Sequence, residues 1–148
     1  GAGQMQPWLE QQTNTRSWLH LLGSRPHAQV PDFLRCLDVF VLASKPLHRG
    51  GQHWEEQFGH VLIEAMACHV ATVGSDSGAI PEVVEESEVT FPWGDTQALR
   101  QILVRLQSDS TYRKELLQRQ FQRVLDKHPH QALAAAWADF IHEQLRQK

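Results

Sequence analysis

The chain is poor in cysteine, tyrosine and methionine, and it has no long apolar run. Two cysteines among 148 residues, Cys36 and Cys68, cannot build the disulfide framework of a small secreted scaffold. Both stand in apolar surroundings, which predicts reduced, buried thiols and a cytoplasmic setting. No stretch reaches the length of a membrane-spanning helix. Neither sign of charge dominates: the formal net charge is -3, which excludes the basic footprint of a nucleic-acid binder. The G-x-x-x-x-G-K-[ST] run of NTPases is missing, and so is the G-x-S-x-G turn of serine hydrolases. Nine histidines invite a metal reading. Neither His48 with His53 nor His128 with His130 has a recognised ligand spacing on a helix, and no Cys or Asp cluster joins them, so no metal is expected. What is present is a globular composition, 41% hydrophobic and 21% charged, in a chain long enough for one real core.

Periodicity divides the chain into alternating elements. Met5–Gln12, with Pro7 in its first turn, reads as a helix. Ser17–Leu22 reads as a strand closed by Gly23. Gln29–Leu37 places Val30, Phe33, Leu34 and Leu37 at helical spacing. Asp38–Ala43 is a short continuous apolar run, the mark of a buried parallel strand. Lys45–Glu55, with Pro46, Gly50 and Gly51, reads as loop. A helix over His60–Cys68, a strand over Val70–Gly74, a turn at Ser75–Gly78, a short helix over Ile80–Val84 and a last strand over Val89–Phe91 follow. Thr96–Leu106, Ser110–Leu125 and His130–Arg146 then read as three helices with no strand between them. Ser108 or Asp109 can cap the second, and Pro129 separates it from the third. The alternation predicts one α/β domain over 1–148 with a parallel sheet, and a helical tail over 108–148. Trp8, Trp18, Trp93 and Trp137 are expected in core or lid packing. For Trp54, sugar stacking and packing both stay open.

The most informative stretch is Glu56–Val84. Glu64 sits in the second turn of an almost wholly apolar helix, where a carboxylate needs a protein donor or a ligand hydroxyl. The start of that helix, after Gly59, presents free backbone N–H groups and a positive dipole end to an anion. Gly59 lacks a Cβ, so a ligand can approach closely. An anion site with an acceptor one turn deeper fits a phosphorylated sugar or a nucleotide. Gly23-Ser24 and Ser44-Lys45 each follow a strand, and ligands of open α/β sheets bind at the carboxyl ends of strands.

These residues also carry a family resemblance. Glu56, Phe58, Gly59, Glu64, Ala65, Met66, Ala67, Ser75, Asp76, Gly78, Pro81, Glu82 and Val83 resemble the E-x7-E signature of retaining glycosyltransferases with the GT-B fold, most closely family 4. The likeness extends weakly to LHLLG, DVFVLAS and FPWGD. The chain departs from the pattern at His69, where the family has Gly, at Ala71, where it has Pro, and in Glu85-Glu86-Ser87-Glu88, where it has a Gly before the last strand.

The resemblance implies a Rossmann-like three-layer domain, half of a GT-B fold, that transfers a hexosyl group from a nucleoside diphosphate sugar to a hydroxyl acceptor. It implies that Glu56 faces the donor sugar near the anomeric carbon as the catalytic carboxylate. Glu64 would accept hydrogen bonds from the ribose hydroxyls. Gln57, Phe58 and Gly59 would offer backbone N–H groups to sugar and phosphate, and Val61 and Leu62 to the diphosphate. His60 would stand near the phosphate end, Gly23 and Ser24 near the base, and Lys45 near phosphate. No cofactor is implied beyond the donor substrate. A leading strand, an Arg and a Lys for the diphosphate, and an acceptor domain are expected upstream of Gly1, with a saccharide or lipid-linked acceptor. The isolated chain is then expected to be inactive. Polysaccharide biosynthesis is the implied setting, with peripheral contact at the inner membrane face left open. Two alternatives stand beside this: a degenerate, non-catalytic nucleotide-sugar-binding domain, and another GT-B enzyme such as a nucleotide-sugar epimerase.

Overall fold

The computed structural model describes residues 3–127. The helix expected over His130–Arg146, Trp137 and the His128–His130 pair lie outside the described residues. The chain folds as two compact units, Gly1–Val30 and the residues from Pro31 onward.

The first unit holds α1, Gln6–Thr13, with Pro7 in its first turn and no buried residue. A 3₁₀ turn follows at His27–Gln29. The strand expected over Ser17–Leu22 does not form. Its apolar residues, Trp18, Leu19, Leu21 and Leu22, do not alternate, and a strand without a ladder partner has nothing to hold it extended. Trp18 is 74% exposed and Trp8 is exposed as well, against the expectation of packed indoles.

The second unit opens with α2, Val30–Leu34, which is shorter than the periodicity suggests. Single turns carry the chain on: the Cys36 N–H donates to the Phe33 carbonyl and the Leu37 N–H to that of Leu34. Three parallel strands form the sheet in the order β1-β4-β5, namely Val39–Leu42, Ala71–Ser75 and Thr90–Phe91. Val39 pairs with Ala71 and Leu42 with Gly74, while Gly74 pairs with Thr90. β4 is buried at all five positions, as a central parallel strand should be. β1 is only half-buried, because among the described residues it is an edge. Between β1 and α3 the expected loop is instead a hairpin, β2 Leu47–Arg49 with β3 Gln52–Trp54. Gly50 and Gly51 lie at φ +59° and +82°, the left-handed pair that a two-residue type I′ turn requires.

Helix α3, His60–Ala67, buries Leu62, Ala65 and Met66, the i, i+3, i+4 stripe of an amphipathic helix. Short α4, Ile80–Val84, packs Ile80, Val83 and Val84 into the same core. Helix α5, Thr96–Ser108, is capped by Asp95, which accepts the Gln97 and Ala98 N–H groups. Helix α6, Ser110–Lys127, follows, with the Tyr112 N–H on Asp109 Oδ1 at 2.9 Å. Asp109 is thus the cap of the two candidates. From α6 the buried Gln120 reaches β4: its Oε1 accepts the Thr72 N–H at 2.9 Å and its Nε2 donates to the Thr72 carbonyl at 2.8 Å. β5 pairs with β4 only at Gly74 and Ser75. At Thr72 the side-chain amide stands where a longer strand would otherwise pair.

The thiols correct a further expectation. Both are free, but Cys36 is exposed and Cys68 only half-buried. His69, one of the departures from the family pattern, adopts φ +58°, and its ring stacks on Phe121 at 3.8 Å. The backbone there keeps the left-handed turn that a Gly would supply.

Candidate functional site

The carboxyl ends of β1 and β4 meet around Glu56. Beyond β1 comes Ser44, whose hydroxyl donates to Glu56 Oε2 at 3.2 Å. Beyond β4 comes the Ser75–Gly78 turn. The buried Ser75 hydroxyl donates to the Ser44 carbonyl at 2.6 Å, which ties the two strand ends together. The Glu56 backbone lies on this turn: the Ala79 N–H donates to the Glu56 carbonyl at 2.9 Å. Gly78, at φ +56°, has no room for a side chain, since a Cβ there would stand 2.1 Å from the Glu56 carbonyl oxygen. The β5 end joins the same edge. Asp76 donates its N–H to the Phe91 carbonyl and accepts the Trp93 N–H on Oδ1 at 2.7 Å. Trp93 itself is 52% exposed there, which removes the core half of the core-or-lid expectation.

The start of α3 sits against the same strand end. Gly59 is buried at φ +74°, and a Cβ on it would lie 3.3 Å from Leu42 of β1 and 2.9 Å from Leu62 of α3. No side chain caps this helix, and among its first-turn amides the engagement seen in the described residues is that of Leu62. Gln57, Phe58 and His60 are exposed around it, with the Phe58 and His60 rings 4.6 Å apart. Val61 is half-buried, whereas Leu62 is fully buried. The Leu62 N–H donates to the Gly59 carbonyl at 2.8 Å, so this amide, expected to face a diphosphate, is already engaged within the helix start. Glu64 is half-buried on α3 and already engages a neighbouring group. Lys45 is exposed beside Ser44. Gly23, at φ +69°, and Ser24 are exposed in the first unit. The structure therefore brings together Glu56, Gly59 and the residues between them with Ser44 and Lys45 at one sheet edge.

Sequence reasoning missed the roles of Ser75 and Gly78 as supports of Glu56, although both lie in the matched motif. It named His48 with His53 as a pair but missed the hairpin that brings them together. These face each other across the hairpin, Nδ1 to Nδ1 at 3.1 Å, and His53 Nε2 meets Glu55 Oε1 at 3.1 Å. Trp54, on the same hairpin, is half-exposed. Among the described residues no group of three or more His, Cys, Asp or Glu could hold a metal ion.

This edge has the form that ligand sites take in open α/β sheets, a crevice beyond the strand carboxyl ends next to a helix start. Comparison with known proteins defines it further. Residues 1–109 match the family described as glycosyl transferases group 1. The chain belongs to this family. Among curated relatives, N-acetyl-alpha-D-glucosaminyl L-malate synthase of Bacillus anthracis is 26% identical over 119 residues, covering 79% of this chain and 29% of that protein. Amylovoran biosynthesis glycosyltransferase AmsK of Erwinia amylovora is 35% identical over 88 residues, 58% of this chain and 21% of that protein. The chain thus spans less than a third of each of these relatives. Among solved structures, sucrose-phosphate synthase from Thermosynechococcus elongatus superposes with a TM-score of 0.74 at 22% identity, over 97% of this chain and 34% of that one. The fold is therefore GT-B-like, an α/β unit with a parallel sheet.

Proposed function

We propose that the chain is the donor-binding half of a retaining, family 4-like glycosyltransferase that moves a hexosyl group from a nucleoside diphosphate sugar to a hydroxyl acceptor. The observation that carries this reading is the placement of Glu56 and the uncapped start of α3 at one carboxyl edge, with Gly59 pressed on Leu42. A diphosphate at the helix start meets oriented N–H groups and the positive end of the dipole. The exposed Lys45 adds charge from the β1 side. Glu56 then stands toward the sugar and Glu64 one turn deeper, toward the ribose. Group transfer by such a site is mostly electrostatic, by stabilising the leaving diphosphate and orienting the sugar. The reading calls for no metal or cofactor, since the helix start and basic side chains supply the positive charge.

The acceptor half, a saccharide or lipid-linked acceptor, a role in polysaccharide biosynthesis and a cytoplasmic place at the inner membrane face belong to the same proposal, and so do an inactive isolated chain and a single-domain organisation. Among the described residues no helix is long and apolar enough to cross a membrane.

Calorimetric titration with UDP, GDP and ADP tests the site. One of them should bind, and Glu64→Ala should weaken it by about 1.5–3 kcal/mol, the scale of hydrogen bonds to a charged group. A folded Glu64→Ala variant with unchanged affinity would remove Glu64 from the site.

A further inference from the structure

We propose that Ser44 is a positioning residue for the Glu56 carboxylate, held in register by Ser75. The inference rests on the reading of Glu56 as the carboxylate that faces the donor sugar.

Three contacts converge on one glutamate, and a fourth holds the residue that makes one of them. Its backbone is fixed by the Ala79 N–H at 2.9 Å and by the absence of a side chain at Gly78, where a Cβ would fall 2.1 Å from its carbonyl oxygen and 2.8 Å from its nitrogen. Its side chain receives the Ser44 hydroxyl on Oε2 at 3.2 Å. Ser44 in turn cannot drift, because its carbonyl accepts the Ser75 hydroxyl at 2.6 Å. Ser75 is fully buried at the end of central β4, the best-packed strand of the sheet.

A glutamate side chain has three rotatable bonds, and an exposed one samples many rotamers. A single hydroxyl donor on Oε2 selects among them. It leaves Oε1 for the ligand, and as a neutral donor it does not cancel the negative charge. Ser44 thus sets where the charge stands, while Ser75 and Gly78 set where Ser44 and the Glu56 backbone stand. Ser44 need not touch the donor to govern turnover, because a displacement of about 1 Å at a catalytic group can cost on the order of 100-fold.

The test uses the full protein and a panel of UDP-, GDP- and ADP-hexoses, with wild type, Glu56→Gln, Ser44→Ala, Ser44→Thr and the double variant Ser44→Ala/Glu56→Gln. Ser44→Ala is expected to lower kcat by about tenfold or more with nucleoside diphosphate affinity within about twofold. Ser44→Thr, which keeps the hydroxyl, should recover most of the loss. In the Glu56→Gln background the Ser44 change should add less than about twofold, because the two act as one unit. Wild-type kcat for Ser44→Ala beside an impaired Glu56→Gln overturns the proposal, and so do fully multiplicative losses. Wild-type kcat for Glu56→Gln, or no turnover with any donor, sinks the reading of Glu56 instead. A crystal structure of Ser44→Ala then decides the positioning claim alone. A moved Glu56 carboxylate upholds it, and an unmoved one overturns it.

Discussion

Two acidic pairs in this chain look alike as text and differ in the folded protein. Glu85-Glu86 follows α4 and lies against the cations of α6. Arg119 Nε reaches Glu86 Oε1 at 3.1 Å, Arg123 Nη2 reaches the same oxygen at 3.2 Å, and Lys127 Nζ reaches Glu85 Oε2 at 2.6 Å. The Glu86 side chain is only 10% exposed within this network. Glu55-Glu56 follows the hairpin. There Glu55 meets His53, and Glu56 meets a serine hydroxyl, with no lysine or arginine on it among the described residues. A carboxylate that joins elements is neutralised by its partners. On the proposed reading Glu56 is the one that meets an incoming ligand, and among the described residues its carboxylate takes a neutral donor. Glu85, in the run where the resembled family has a Gly before the last strand, takes φ +50°; the carboxylate at this left-handed position is tied to Lys127.

Substitution at each pair should separate these roles. The largest effect is expected for Glu56→Gln in the full protein, a fall in kcat of about 100-fold or more, the scale of losing a transition-state charge contact. Thermal stability should stay close to wild type, since the side chain is half-buried and, among the described residues, its hydrogen bond is to Ser44. Initial rates and melts on the same samples would show it. Equal stability loss at Glu56 and Glu86 would break the comparison.

Glu86→Gln should do the reverse. Removing the charge leaves Arg119 without its nearest anion and Arg123 with Glu85, 3.5 Å from its Nε. Breaking a buried pair costs about 3–5 kcal/mol, and the exposure of Arg119 lowers the expectation to about 1–2 kcal/mol. Denaturant melts measure this, and the difference from wild type should narrow at high salt. Catalytic rate should remain within about twofold. A Glu86→Gln variant as stable as wild type would make this network a surface ornament.

The smallest effect concerns the same acidic segment at its far end. Burial raises the Tyr112 pKa above its ordinary value of 10.0, and the charge of Glu88 raises it further. The folded state therefore holds the phenolic proton more tightly than the unfolded chain. That contribution is complete below about pH 10 and is lost as pH rises through the folded-state pKa. Nothing should change at neutral pH. Melts between pH 8 and 11 should show a decline in stability that Tyr112→Phe removes, with the ring still available under Arg105, 3.5 Å from its guanidinium carbon. A decline that survives in Tyr112→Phe belongs to other groups.

Much of this architecture was legible because it is written locally. The apolar stripe of α3, Pro81 at the start of α4 and the Asp109 cap each sit within a few residues of what they control, and α1 and α3 to α6 fall close to the expected bounds. The E-x7-E match is local too, which is why the family could be read from it. The hairpin escaped because its strands are polar and only three residues long, although Gly50-Gly51 between two such runs is itself a hairpin signal. Ser17–Leu22 misled for the opposite reason, since apolar residues suggested a strand that has no ladder. The support of Glu56 joins residues 44, 56, 75 and 78, and no periodicity links them. Gln120 was hidden on a helix rich in glutamine, where nothing in the run Gln118-Arg119-Gln120-Phe121-Gln122 marks which amide turns inward.

That amide also sets an order of events during synthesis. The backbone of Thr72 leaves the translating machinery 48 residues before the side chain that completes its hydrogen bonding. At roughly 5–20 residues per second, the centre of the sheet waits several seconds with one face of its ladder open. Nascent chains stalled before residue 120 should present that open ladder to any strand that passes, and a holding chaperone should find them more readily than chains released after it.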